Sequence, residues 1–292
     1  MRRVFYEQSL EASRMHLRDG LGLRDGETVD TAIVLGTGWA DAFAFEAMRQ
    51  VDMTELRGPF IHVETLESAE MSRTRVRRYE IGKMKNGRRV IILRGRVHMN
   101  EAIFEPLVKL AVRAQIELLI KLGVKNLILT TGVGSLQPYI PAGSVVLING
   151  WVSSWGEEMP LYPYEFVNPE DVIDRELFDA IRVVADRDHP RYIQMLISVG
   201  SHVFWLGPHF EGRRYDKVLM AGTGAKCVSM SVKPECAVAS LYAKNGIRVI
   251  PMGFVTNTAQ EEMNDDHHRE VAVEAAPKLG HLLEHAVEVM HY

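Results

Sequence analysis

Cysteine is scarce: the 292 residues include two, Cys227 and Cys236. Their separation fits neither a C-x-x-C redox pair nor a zinc knuckle, so both are expected as buried free thiols. An excess of either charge is also missing. A formal net charge of -4 argues against a phosphodiester backbone as partner, because proteins that bind one carry a strong basic surplus. The expected partner is a small molecule, with no nucleic acid. Long apolar runs are absent as well. The opening Met1-Arg2-Arg3-Val4-Phe5-Tyr6-Glu7 lacks the core of a signal peptide, and no later stretch has the length and apolarity to cross a bilayer. The reading is a cytoplasmic chain with no membrane partner. No G-x-S-x-G elbow occurs, which leaves a serine hydrolase of the α/β type without a foothold. Internal repeats and low-complexity tracts are lacking too.

What is present is an alternation of short runs rich in valine and isoleucine with longer amphipathic segments. This is the pattern of an α/β domain, here a central mixed twisted sheet flanked by helices on both faces. A single domain over 1–292 is expected. Strands are predicted at Thr31 to Leu35, Arg89 to Leu93, Asn126 to Thr131, Ser144 to Ile148, Val203 to Leu206, Cys227 to Met230 and Arg248 to Phe254. Helices are predicted from about Glu105 to Leu122, Arg175 to Ala185, Pro234 to Lys244, and His268 to Met290, the last with a kink at Pro277. The stretch 151–169, with its prolines and aromatics and no sustained period, reads as a long ordered loop.

Most of the predicted strands end in glycine or polar residues, where open α/β sheets bind ligands. Gly36-Thr37-Gly38 follows the first strand and offers a hydroxyl and bare amides to an anion. Asp41 spoils the three-glycine dinucleotide fingerprint, so NAD is not expected, although an ordinary tight turn would look the same. Arg96 and His98 alternate along an extended segment, so both heads can meet one ligand; the bland alternative is an ion pair of Arg96 with Glu101. In Thr130-Thr131-Gly132-Val133-Gly134-Ser135 the glycines let backbone approach a flat ligand closely, or mark a plain βα turn. Phe210-Glu211 sets an aromatic face beside a carboxylate, suited to a base, unless Phe210 is merely buried and Glu211 merely exposed. Met230-Ser231 and Asn257 close two further strands. The run Asp265-Asp266-His267-His268 is read as a helix start, not a metal site, because adjacent residues seldom converge on one ion.

Taken in order, the segments LGTG, GRVH, LTTGVGSL, GPHFEG, SMSVKPE and FVTN resemble the trimeric, low-molecular-mass class of purine nucleoside phosphorylases, a family that also includes methylthioadenosine phosphorylase. The resemblance runs from about Ile33 to the final helix. It implies phosphate binding by Thr37, Arg96, His98, Ser231 and the backbone at Gly132. It implies a base pocket of Phe210, Glu211 and Asn257, and a sugar site of Met230, Phe166 from a neighbouring subunit, and His268, with His267 as the alternative. The residues it makes catalytic are His98, Asn257 and Glu211. The implied reaction is reversible phosphorolysis of a 6-oxopurine nucleoside in a homotrimer, with phosphate as co-substrate and no metal or other cofactor. Methylthioadenosine phosphorylase, or a silent nucleoside-binding homologue, are the alternatives.

Three positions depart from the pattern that this resemblance sets. Thr37 stands where serine is usual. Asn100 replaces an aromatic of the sugar site, for which Trp151, Trp155 or Tyr164 are candidate substitutes. Lys233 replaces a valine and adds a cation near Ser231.

Overall fold

The computed structural model describes residues 3–39, 42, 45–60, 77–103, 107–153, 158–207, 209–261 and 265–291, the side chains of 102–103 and 265–269 excepted. In chain order the elements are helix α1 (Arg3–Gly20), strands β1 (Thr31–Leu35), β2 (Glu46–Asp52), β3 (Arg78–Lys83) and β4 (Arg89–Arg94), and helix α2 (Val108–Lys121). There follow β5 (Asn126–Ser135), β6 (Val145–Val152), α3 (Leu177–Arg182), β7 (Ile197–Phe204), α4 (Asp216–Ala221), β8 (Cys227–Ser229), α5 (Lys233–Ser240), β9 (Arg248–Asn257) and α6 (Asp265–Val289).

These strands form one nine-stranded mixed sheet, in the order β2-β3-β4-β1-β5-β8-β7-β6-β9, with β5 also paired to β9. Because β5 touches both β8 and β9, the run β5-β8-β7-β6-β9 closes on itself instead of ending in two free edges. Alternate residues of the central strands face opposite layers. Ala32, Val34, Ile91, Leu93, Leu127 and Leu129 pack in a core with residues of α1, α2 and α5. Ile33, Leu35, Ile92 and Ile128 pack in a second core with residues of α3 and α6. Burial on both faces is why these strands read as continuous apolar runs.

Several elements differ from the sequence expectation. β2 and β3 escaped it: β2 is exposed at every position but Val51, so no apolar alternation marks it. Helix α1 escaped too, although Tyr6, Leu10, Ser13 and Leu17 form its buried stripe. β7 spans Ile197–Phe204 and not Val203 to Leu206, because Ser198, Gly200, Ser201 and His202 interrupt its apolar character. β5 and β9 extend past their predicted ends, to Ser135 and Asn257, and β6 reaches Val152, so the long loop begins at 153. Helix α6 continues through Pro277.

Candidate active site

Strands β4, β1, β5 and β9 are mutually parallel, so their carboxyl ends open on one edge of the sheet. The motif residues lie on that edge.

The junction Thr130-Thr131-Gly132 of β5 is where four of the expected anion contacts come together. The turn after β1 is tied to it by the Gly36 amide, which donates to Thr130 Oγ1 at 3.0 Å. A Cβ on Gly36 would lie 2.4 Å from the Thr130 carbonyl oxygen. Only glycine allows that approach. Gly38, at φ +83, abuts the Phe254 ring, and Trp39 is anchored by its indole N–H to the Thr131 carbonyl at 3.0 Å. Thr37 itself is exposed, and a Cβ on Gly132 would be 3.3 Å from its carbonyl oxygen. Ser231 reaches the same junction from the far side, its hydroxyl 2.8 Å from Thr131 Oγ1.

Arg96 is 2 % exposed. Its Nη1 donates to Glu235 Oε1 at 2.7 Å, and its Nη2 donates to the carbonyls of Val34 and Thr130. The ion pair is therefore buried and made with Glu235; Glu101 instead pairs with Arg77 at 2.8 Å and accepts from the His98 amide at 3.0 Å. Arg96 Nε has no hydrogen-bond partner among the described residues. Gln115 fixes the 96–98 segment to α2 at its middle residue. It accepts from the Val97 amide at 2.8 Å and donates to the Val97 carbonyl at 3.0 Å, drawing Val97 inward between Arg96 and His98. Two residues on, Asn100 Nδ2 lies 3.7 Å from Met230 Sδ, which joins this segment to the end of β8; Asn100 Oδ1 is buried and unpartnered among the described residues.

The second convergence lies two residues further along β5. A Cβ on Gly134 would sit 2.8 Å from Glu211 Oε1 and 3.3 Å from Asn257 Oδ1. The carboxylate from the loop after β7 and the amide at the end of β9 thus face one point that glycine leaves open. Glu211 is 7 % exposed and Phe210 52 % exposed, the reverse of a buried ring beside a surface acid. Burial raises the Glu211 carboxyl above its ordinary range; the Lys217 ammonium, 4.0 Å away, opposes this, and Asp216 adds to it. Asn257 is 2 % exposed, and its Nδ2 has no hydrogen-bond partner among the described residues. A buried donor left in that state costs about 1–3 kcal/mol, which a ligand acceptor would offset.

Not every expected residue joins these clusters. Phe166 is 89 % exposed and Tyr164 91 %, so neither lines a site in its own chain. Glu165 between them is drawn inward, accepting from Arg113 Nη1 at 2.5 Å and from the Tyr162 amide at 2.8 Å. Trp151 packs edge-on to His202, ring centroids 5.2 Å apart, and not against Asn100. Trp155 and the His267 and His268 side chains lie outside the described residues. Lys233 is buried and its Nζ donates to Ser153 Oγ at 2.7 Å, which anchors the start of the long loop. Among the described residues no group of three or more His, Cys, Asp or Glu is arranged to hold a metal ion, and no helix is long and apolar enough to cross a membrane.

Sequence reasoning missed Gln115, Glu235, His202 and Ser229. Their roles depend on partners 18 to 139 residues away in sequence, a separation that leaves no local pattern.

Residues 31–288 match the model of the phosphorylase superfamily. The chain is 30% identical over 251 residues to the purine nucleoside phosphorylase of Cellulomonas sp, covering 85% of this chain and 80% of that protein. It is 28% identical over 221 residues to the Bos taurus purine nucleoside phosphorylase, covering 70% and 71%. In fold it is similar to the Schistosoma mansoni purine nucleoside phosphorylase solved with inosine, at a TM-score of 0.75 and 19% identity over 96% of both chains. Isoform 2 from the same organism, solved with cytosine and ribose-1-phosphate, gives a TM-score of 0.74 at 18% identity, covering 96% of this chain and 95% of that one.

Proposed function

We propose that this chain, which belongs to the phosphorylase superfamily, is a purine nucleoside phosphorylase that acts as one domain and cleaves 6-oxopurine nucleosides with inorganic phosphate. The observation that carries this reading is the double convergence on β5. Residues suited to an anion gather at Thr131-Gly132, and residues suited to a purine edge gather at Gly134. Gly132 and Gly134 are separated by two residues of extended chain, about 6.6 Å. Met230, at the end of β8, is assigned the sugar between them.

On this reading phosphate is held by Thr37, Arg96, His98, Ser231 and the backbone at Gly132. Bound there it is placed for attack on the anomeric carbon and opposes the positive charge that builds on the ribose as the glycosidic bond breaks. The electrons of that bond pass to the purine. Asn257, with its unused Nδ2–H, donates to the purine at N7 or O6 as negative charge accumulates there. Glu211, when ionised, accepts from N1–H. A base with an acceptor at position 6 and a proton on N1 satisfies both residues, whereas an adenine offers a donor where Asn257 also donates. Phe210 supplies a face for the base, and His268 is assigned the sugar 5′-hydroxyl.

The product pair is a free base and a pentose 1-phosphate. No metal or cofactor other than phosphate is needed, because the anion and the amide donor stabilise the two developing charges. The exposed Phe166 belongs, on this reading, to the sugar site of a second copy in a homotrimer, and the protein works in the cytoplasm.

The test is a panel of inosine, guanosine, adenosine and methylthioadenosine, each with and without phosphate. Release of hypoxanthine and guanine that requires phosphate is expected. Turnover of methylthioadenosine with none of inosine would move the assignment to the methylthioadenosine branch. Release undiminished without phosphate would mark a hydrolytic nucleosidase, and calorimetric binding of inosine with no turnover a silent pocket.

A further inference from the structure

The side chain of His202 on β7 is fully buried, and its Nε2 lies 2.8 Å from Ser229 Oγ. From there a file of hydroxyls leads to the proposed phosphate site. Thr131 Oγ1 donates to Ser229 Oγ at 3.5 Å or to the Gly132 carbonyl at 3.0 Å, and it lies 2.8 Å from Ser231 Oγ. Ser229 Oγ also lies 3.5 Å from the Ser231 amide nitrogen, which donates to it. The backbone beside this contact is strained: Val232, immediately after Ser231, has φ 74. A β-branched residue in the left-handed region is an outlier that surrounding contacts must hold, at a cost of order 1–3 kcal/mol.

We infer that His202 is a positioning residue of the phosphate site, holding Ser229 Oγ where it meets Thr131 and the Ser231 amide and so setting where Ser231 stands against the anion. The inference rests on the phosphate reading of Ser231 above.

The ring nitrogen that carries the His202 proton decides whether the ring donates to Ser229 or accepts from it. His202 Nδ1 has no hydrogen-bond partner among the described residues. A buried N–H without an acceptor is rarer and costlier than a bare lone pair, so the single proton resides on Nε2. Burial, reinforced by the Lys233 ammonium, lowers the His202 pKa to about 3, which keeps the ring neutral and this tautomer in place at working pH. His202 therefore donates to Ser229 Oγ. Ser229 Oγ thus gathers the His202 ring N–H, the Thr131 hydroxyl and the Ser231 amide on one oxygen. With the proton on Nδ1 the ring would have to accept from Ser229 instead, and that oxygen would lose its shortest contact to a donor. Lys233 thereby has a role: its charge, held on Ser153, disfavours a second proton on His202.

The test compares steady-state KM values for phosphate and for inosine in His202→Phe, which keeps a ring of similar size but no donor, and His202→Gln, whose side-chain N–H can reach Ser229. Phe is expected to raise the phosphate KM by about 5- to 10-fold, the worth of one hydrogen bond, and to leave the inosine KM unchanged. Gln is expected to recover most of that loss. Ser231→Ala is the reference, and adding His202→Phe to it should cost nothing further, because the two act in one file. Should His202→Phe fail to fold, Ser229→Ala cuts the same file and is expected to give the same split. Equal effects on both KM values, no effect on either, or a Gln variant no better than Phe would overturn the role of His202. A phosphate KM untouched by Ser231→Ala would overturn the phosphate reading itself, separately and first.

Discussion

Glu211 and Asn257 meet across Gly134: a single Cβ there would lie 2.8 Å from the carboxylate oxygen of the first and 3.3 Å from the amide oxygen of the second. Gly134→Ala is therefore expected to displace both groups by several tenths of an ångström or more. Misplacement on that scale in an active site can cost about 10²-fold. The loss should fall on kcat/KM for inosine and leave the KM for phosphate in place, since the proposed anion contacts lie two residues away at Gly132. Steady-state kinetics in both substrates checks this.

In the proposed mechanism Asn257 carries the donor that meets charge on the leaving base. Asn257→Leu, which keeps the volume and removes the amide, is expected to lower kcat for inosine by about 10²- to 10³-fold, as loss of one preorganised donor does. Asn257→Asp replaces the donor by an acceptor that suits a 6-amino group, so the ratio of adenosine to inosine turnover should rise. A ratio unchanged in that variant would remove Asn257 from base recognition.

Glu211 is raised by burial, with Lys217 opposing. In the proposed mechanism its ionised form is the one that accepts N1–H, so kcat/KM for inosine should fall on the acid side, with a midpoint above the ordinary glutamate range. Stability moves the opposite way. A carboxyl whose folded pKa is raised binds more protons folded than unfolded, so its contribution to stability declines as pH rises between the two pKa values. Glu211→Gln should remove the acid limb from the rate profile and flatten stability over the same window. An acid limb that survives the substitution would belong to another group.

Arg96 and Glu235 form an ion pair whose side chains are 1% and 2% exposed. Removing one partner leaves a buried charge alone, which costs about 3–5 kcal/mol. Glu235→Leu is expected to destabilise the fold by that amount in urea titration. It should also raise the phosphate KM, because Arg96 loses the contact that aims it. Loss of stability with an unaltered phosphate KM would make the pair purely structural.

Phe166 is 89 % exposed in its own chain, so Phe166→Ala should leave the unfolding midpoint of the isolated chain close to its original value, as surface substitutions do. If the ring completes a neighbour's sugar site, the inosine KM rises. Mixing the variant with chains inactivated at Asn257 should then restore activity to some sites. Sedimentation would report whether three copies assemble.

The alternation of buried strands and helices is legible in the amino-acid order, because strand residues flanked on both sides by helices must be apolar throughout. Ile33 and Val34 face different cores, yet both are legible as core from composition alone. The amino-acid order likewise marked the strand ends that hold the site, since Gly36 and Gly134 are demanded by close approach of backbone or side chain. Exposed β2 and the first half of β7 were hidden, because β2 buries only Val51 and because Ser198, Gly200, Ser201 and His202 break the apolar run of β7. The pairing of distant polar groups comes from the folded chain alone. Arg96 finds Glu235 and not nearby Glu101, Gln115 clamps Val97, and His202 stands behind Ser229. Such partners are selected by which strand ends and helices pack together: β4 against α2 and α5 for Arg96 and Val97, and β7 beside β8 for His202. Sequence distance carries no trace of that adjacency, and burial, which makes each contact strong, exists only once the sheet has closed.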